Sequence, residues 1–344
     1  MPRLLRFAYV PLCLLFAACG GGGTTPPSTS GPGASPAPAP PSPGPTPSPT
    51  PGSVPDLGVN ADMRGVVPFP AGDPWNTRVD ADPVEPQSDT LIASIGLAKG
   101  LHPDFGADLG DGQPFGIPYV VVSGTQPGVP VTFDYADESD PGPYPIPVDA
   151  PIEGGANSTG DRHILVIDRD HGSLFETWST YPAAVGFSAG SGAKFDFAMS
   201  PARPAGFTSA DAAGLPIFPG LVRYDEVVGR GEIAHALRFT IVRSRRAYVA
   251  PATHFASSYT GPDRPPMGMR VRLKASFDAS SFPPQARVVL TALKRYGMIV
   301  ADNGGDWFIS GAPDARWDDA QLNTLKSVAG SNFEVVKMGP LTTN

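Results

Sequence analysis

From Gly20 to Pro55 the chain carries no charged residue and consists almost wholly of Gly, Ser, Thr, Ala and Pro, with Pro at nearly every second position between Pro36 and Pro51. This run constrains folding more than any other feature of the sequence. It has too little apolar surface to offset the entropy of ordering it, and its prolines favour extended, polyproline-like chain. At about 3.1 Å per residue it would reach roughly 100 Å when drawn out. The folding problem therefore begins near Asp56. Residues 56–344 have the length of one large core and contain no internal repeat and no second linker. The acidic, proline-rich stretch Asp137-Glu138-Ser139-Asp140-Pro141-Gly142-Pro143-Tyr144-Pro145 reads as a surface loop rather than a boundary.

Ahead of the spacer, Arg3 and Arg6 precede an uncharged, mostly apolar run from Phe7 to Ala18. It is shorter than the about 20 apolar residues that span a bilayer. Residues 1–18 thus have the layout of a secretory signal peptide. Their end, Leu15-Phe16-Ala17-Ala18-Cys19-Gly20, resembles the lipobox of bacterial lipoproteins, with Phe16 where that family prefers Leu. The resemblance implies cleavage before Cys19 and a lipid on Cys19. It further implies a membrane partner through that lipid and a place in the cell envelope. Gly20 is not the Asp that marks inner-membrane retention in enteric members, which favours the outer membrane or cell surface. The organisation expected is a signal at 1–18, a lipidated cysteine with its linker at 19–55, and a single globular domain at 56–344.

Cys13 and Cys19 are the only cysteines. The domain therefore has no thiol, which excludes a cysteine nucleophile, a disulfide scaffold, a thiolate zinc site and an iron–sulfur centre. A formal net charge of -8 argues against nucleic acid as a partner, because that needs a broad basic surface. Neither a G-x-G-x-x-G after a strand nor a Walker loop is present.

The secondary-structure pattern is mostly strand. Strands are expected at Ile117–Val122, His163–Asp168, Leu174–Thr180, Ala236–Val242, Ala247–Ala250, Met269–Phe277, Met298–Ala301 and Trp307–Ile309. Two helices stand out: one from about Pro284 to Tyr296, with Ala286, Val289, Leu290 and Leu293 on one face, and one from about Asp319 to Ala329, with Asp318 and Gln321 at capping-box spacing. The expected fold is mainly β, a sandwich or jelly-roll-like domain with a few peripheral helices, with α+β as the alternative.

The hairpin around Arg169-Asp170-His171-Gly172 is the most informative piece. A four-residue loop sets Asp168 opposite Ser173 and Leu165 opposite Glu176, and strand alternation then places His163, Leu165, Ile167, Leu174, Glu176 and Trp178 on one face. An indole offers a flat platform for a pyranose ring, and carboxylates supply acid and base. Common glycosidases need two such carboxylates. Glu176 is the first candidate, with Asp168, Asp196, Asp302 or Asp306 as its partner, His163 alongside and Trp178 as the sugar platform.

A second pattern points elsewhere. In Met269–Phe277 the residues Arg270, Arg272 and Lys274 alternate with apolar ones, which suits either a solvated edge strand or a cleft for an anionic polysaccharide. Arg238 on its own strand would join that face, with His235 or His254 as a base. Such a site would make the protein a lyase acting on uronic-acid polymers. Gly186-Phe187-Ser188-Ala189-Gly190 has the G-x-S-x-G spacing of a nucleophile elbow but is followed by a Gly-rich loop where a helix is required. Asp168-Arg169-Asp170-His171-Gly172 and Asp302-Asn303 with Asp306 have fragments of oxygen-ligand loops. They read as plain turns, with Ca²⁺ as the alternative, and no metal or other cofactor is expected. Three functions are carried forward: a surface-anchored glycoside hydrolase, a lyase for an anionic polysaccharide, and a non-catalytic carbohydrate-binding or envelope module.

Overall fold

The computed structural model describes residues 54–110 and 112–343. The signal, Cys19 and all but the end of the linker lie outside the described residues. Among the described residues, no helix is long and apolar enough to cross a membrane.

The strands, in chain order, are β1 (Gly58–Val59), β2 (His102–Asp104), β3 (Tyr119–Val122), β4 (Val131–Phe133), β5 (Ile164–Asp168), β6 (Ser173–Trp178) and β7 (Tyr181–Pro182). They continue with β8 (Phe187–Ala189), β9 (Ser191–Asp196), β10 (Leu237–Ile241), β11 (Arg270–Leu273), β12 (Met298–Asn303), β13 (Phe308–Ser310) and β14 (Phe333–Val335). Helices α1 (Ser88–Ile95), α2 (Pro284–Arg295) and α3 (Asp319–Asn323) are few and short. The fold is mainly β, as the sequence pattern predicts. Its strands form three open, mixed sheets in the orders β1-β3-β5-β6-β9, β14-β11-β12-β10-β13-β2 and β4-β8-β7.

The β5–β6 hairpin has the expected register, with Leu165 opposite Glu176 and Asp168 opposite Ser173. Both faces of its sheet are covered. Leu165, Ile167 and Leu174 enter the main core together with Leu237, Phe239, Val271 and Val300 of the six-stranded sheet. Ile164 and Val166 point the other way, into a second core with Val131, Phe187 and Tyr144 beside the three-stranded sheet. The central sheet is therefore sandwiched, and the face carrying Glu176 looks into the interior rather than toward water.

Helix α2 runs close to the expected bounds, with Ala286, Val289, Leu290 and Leu293 buried. α3 is shorter than expected: after Asn323 the chain tightens into a 3₁₀ turn, Thr324–Ser327. Its cap is the expected one, with Asp318 accepting the Gln321 N–H at 3.2 Å and the Gln321 side-chain amide at 2.9 Å. Residues 247–250 form single bridges through Tyr248 instead of a strand. The run at 269–277 is strand only over β11, which is an interior strand between β14 and β12. The solvated-edge reading of its cations is thereby corrected.

Candidate active site

Two local devices bring charge to the interface between the sheets. The first is a β-bulge. On β10 and β12, Phe239 pairs with Val300 but Thr240 pairs with Asp302, so Ala301 is an extra residue. A bulge redirects the side chain that follows it. Here it delivers Asp302, and the Ala301 carbonyl accepts the Ala213 N–H at 3.0 Å, which pins the 209–217 loop to the sheet. The second device is the turn at Gly214, where φ is +74° and a Cβ would sit 2.1 Å from Thr253 Oγ1 and 2.6 Å from the Phe207 carbonyl. Only glycine fits, and its N–H donates to the Asp211 carbonyl at 3.0 Å.

Asp211 is fully buried and holds Arg238 of β10 through two hydrogen bonds, Nε to Oδ2 at 3.1 Å and Nη2 to Oδ1 at 3.0 Å. Arg238 Nη1 donates to Ser310 Oγ of β13 at 2.5 Å. Burial raises the proton affinity of Asp211 and Arg238 opposes it. Across the interface, His163 leads into β5. Its Nδ1 lies 2.6 Å from Glu153 Oε2 and its Nε2 lies 3.1 Å from the Ala210 carbonyl. Both neighbours are acceptors, so the ring fits as an imidazolium donating on both sides. Burial alone would lower its pKa; Glu153 outweighs that and lifts it to about 9.

Three carboxyl groups remain without a cation hydrogen-bonded to them. Asp302 accepts the Asn303 N–H at 2.6 Å on one oxygen, and among the described residues no other donor bonds its carboxylate. Burial, reinforced by the charge on Asp211, pushes its pKa up to about 7 against the pull of Arg238. Asp161 is exposed and accepts the Trp178 Nε1–H at 3.2 Å. Asp104, exposed, ends β2 beside Ser310 in the ladder, and its carboxylate accepts no hydrogen bond among the described residues. Surrounding protein raises its pKa, helped by Glu153 and opposed by Arg238. Asp161 feels both neighbours: its charge raises Asp302 and Asp104 alike. Trp178 is half-buried, and Gly190 lets the indole lie where it does, because a Cβ there would meet its ring carbons at 2.3 Å.

Of the residues singled out from sequence, the fold brings Asp302, His163, Arg238 and Trp178 to one place. His254 borders it, with Nδ1 2.8 Å from the Ala212 carbonyl. Glu176 lies behind it, fully buried. Its Oε1 accepts the Ile217 and Phe218 N–H groups at 3.0 and 2.8 Å, and Oε2 accepts Ile217 at 2.9 Å. Burial lifts its pKa to about 7 against those two donors. The geometry gives Glu176 the task of holding the 217–218 turn.

The remaining candidates lie elsewhere. Asp168 closes its own hairpin turn, accepting the Asp170 and His171 N–H groups at 3.1 Å and pairing with His171 Nδ1 at 2.7 Å. Arg270 donates to the carbonyls of Pro74, Thr77 and Tyr296. Arg272 donates to Glu334 and to the Val79 and Asp82 carbonyls, and Lys274 to Ser331. These cations tie the 74–82 segment and the sheet edge together and do not line a common cleft. Asp306 pairs with Lys99 and accepts the Val242 N–H, so it does not share a ligand loop with Asp302. Ser188 is in mid-strand on β8, which turns through Gly190 directly into β9; no helix follows it.

Sequence reasoning missed Asp104, Glu153, Asp161 and Asp211. All four lie at strand ends or in loops, where no periodicity marks them. Glu153, Asp161 and His163 offer three ligand atoms within 4.8 Å of one another, and a metal ion held there would have to displace the proton from His163.

Comparison with protein-family models, curated proteins and solved structures returns no match for this chain.

Proposed function

We propose that the protein is a glycoside hydrolase acting on a polysaccharide and held at the cell envelope by a lipid on Cys19. The observation that carries this reading is Asp302, a largely enclosed carboxyl with one oxygen unpartnered and a pKa near 7. It lies within electrostatic reach of an exposed carboxylate, Asp161, that hydrogen-bonds an indole.

A hydrolase of this type needs one carboxyl that is protonated at working pH and one that is ionised. Asp302 fits the first role, donating its proton to the glycosidic oxygen as the bond to the anomeric carbon breaks. Asp161 fits the second, taking a proton from the attacking water. Trp178 Nε1–H holds Asp161 in place, and the indole face supplies a platform for a sugar ring. Arg238 opposes the rise in Asp302 pKa caused by burial and Asp211. The imidazolium of His163 neutralises Glu153, which otherwise adds a further negative charge. Glu176 supports the loop that carries Asp211.

The lyase reading draws less support. It requires free cations to neutralise a uronate, and Arg238, Arg270, Arg272 and Lys274 all donate to protein acceptors.

The test is turnover of a panel of neutral, amino and acidic polysaccharides, read as new reducing ends together with ultraviolet absorbance of unsaturated uronides. Reducing ends without absorbance support hydrolysis. Absorbance restores the lyase, and binding without product favours the non-catalytic module. Asp302→Asn is expected to lower kcat by about 10²–10⁴-fold with the circular dichroism spectrum unchanged.

A further inference from the structure

The loop that leaves β10 carries Arg243, Arg245 and Arg246 within four residues. The chain has a formal net charge of -8, so acidic partners are in excess. Yet among the described residues no carboxylate or other acceptor bonds these three side chains; Arg246 instead lies over Phe255, with Cζ 5.3 Å from the ring centroid. Arg243 and Arg246 are exposed and Arg245 is half-buried. Arg245 Nε and the hydroxyl of the buried Ser244 are enclosed without a hydrogen-bond partner. Like charges this close together, about a Debye length or less, repel one another. An enclosed donor left unpaired also costs stability. The fold therefore does not place these cations for its own sake. An anion relieves the repulsion, and guanidinium forks match the geometry of a carboxylate.

The backbone of the run is fixed. Ser244 N–H donates to Asn303 Oδ1 at 3.2 Å, Arg245 N–H to the Pro265 carbonyl at 2.9 Å and Arg246 N–H to the Tyr259 carbonyl at 2.5 Å. Asn303 also donates from Nδ2 to the Ala256 carbonyl at 3.1 Å. The arginine run and the 254–259 segment thus meet at the residue that follows Asp302. That segment brings an exposed Tyr259 and a half-buried Phe255 to the arginines, and aromatic faces of this kind pack on sugar rings. A lipid headgroup would meet the charges but not use the rings. The linker, moreover, joins the domain elsewhere, where Arg169 of the β5–β6 turn donates to the Pro55 carbonyl at 3.2 Å.

We infer that Arg243, Arg245 and Arg246 form a binding surface for the carboxylates of an acidic polysaccharide, along the polymer from the unit held at Asp302. Only the seating relative to Asp302 rests on the hydrolase reading; the arginine surface stands without it.

The experiment measures binding and cleavage, by the full-length protein, of a galacturonate hexamer and its fully methyl-esterified counterpart, which keeps the rings and removes the charges. The double variant Arg243→Gln/Arg246→Gln, at two exposed positions, is measured beside the native protein. The acidic hexamer is expected to bind about tenfold tighter than the ester. That preference should shrink as salt is raised from about 20 to 500 mM and be lost in the double variant. Equal binding of acid and ester by the native protein overturns the inference, whatever the variant does. So does an acid preference that survives in a folded double variant. Arginine-dependent retention on phosphatidylglycerol vesicles over phosphatidylcholine vesicles, with no preference for the acidic hexamer, overturns it in favour of a headgroup site. Acid-selective binding without new reducing ends upholds the surface and counts against the hydrolase. Cleavage of neutral oligomers without acid preference does the reverse.

Discussion

Glu176 and Asp302 are both enclosed carboxyls with proton affinities raised to a similar degree, yet the chemistry around them differs. Glu176 has its oxygens turned to the Ile217 and Phe218 amides inside the core. Among the described residues, Asp302 keeps one oxygen without a donor. Glu176→Gln is therefore expected to act on stability. An amide offers one acceptor and presents its N–H₂ to a backbone donor, so unfolding free energy should drop by about 1–3 kcal/mol, measured by urea denaturation. Asp302→Asn is expected to act on turnover. On the proposed hydrolase function, the native protein should also lose kcat/KM as pH rises through about 7, the value to which burial lifts Asp302. That is the sign for a group that must be protonated to act. An activity plateau extending to pH 9 would remove Asp302 from the acid role.

At the scale of elements, the β5–β6 hairpin was legible before the structure. Its register follows from loop length and alternation, and the co-facial set His163, Glu176 and Trp178 followed with it. What alternation does not reveal is which face is wet. The three-stranded sheet covers the other side through Val131, Phe187 and Ala189, a contact made by residues distant in sequence. For the same reason β11 reads as an edge strand until β14 pairs with it. The site was half legible, because Asp104 at the end of β2, Glu153 and Asp161 in the β4–β5 connection and Asp211 in the β9–β10 connection converge only through tertiary packing. The Gly214 turn and the Asp318 cap separate site from scaffold experimentally. Gly214→Ala introduces a Cβ into occupied space at positive φ. It is expected to lower Tm and to reduce turnover further, because the loop carrying Asp211 must move. Asp318→Ala removes the α3 cap and should lower Tm slightly with turnover unchanged. Equal effects of both on turnover would mean that the Asp211 loop does not hold the site.

The whole molecule places an unusual number of titrating groups between its sheets, and their linkage to folding shares one sign over the neutral range. Burial raises Glu176 and Asp302 to about 7 from ordinary values near 4.5 and 3.8, so the folded protein holds protons that the unfolded chain has released. Their contribution is greatest at low pH and declines as pH climbs through 7. His163 is raised to about 9 by Glu153. Its contribution is complete below 6.5 and disappears as pH rises through 9. Glu153 runs the opposite way: its pKa is lowered by His163, so its share is lost only in acid, below the ordinary carboxylate range. Stability should therefore peak in mildly acidic solution, near pH 5, and fall toward pH 9, with Tm decreasing by about 5 °C or more. His163→Gln keeps a side-chain donor but cannot titrate. In that variant the decline between pH 7 and 9 should flatten, while the decline below 7, owed to Glu176 and Asp302, persists. Scanning calorimetry of both proteins across pH 4–9 measures the two limbs separately. A native Tm that rises from pH 5 to 9 would mean that these carboxyls and the imidazole are not enclosed in the folded protein.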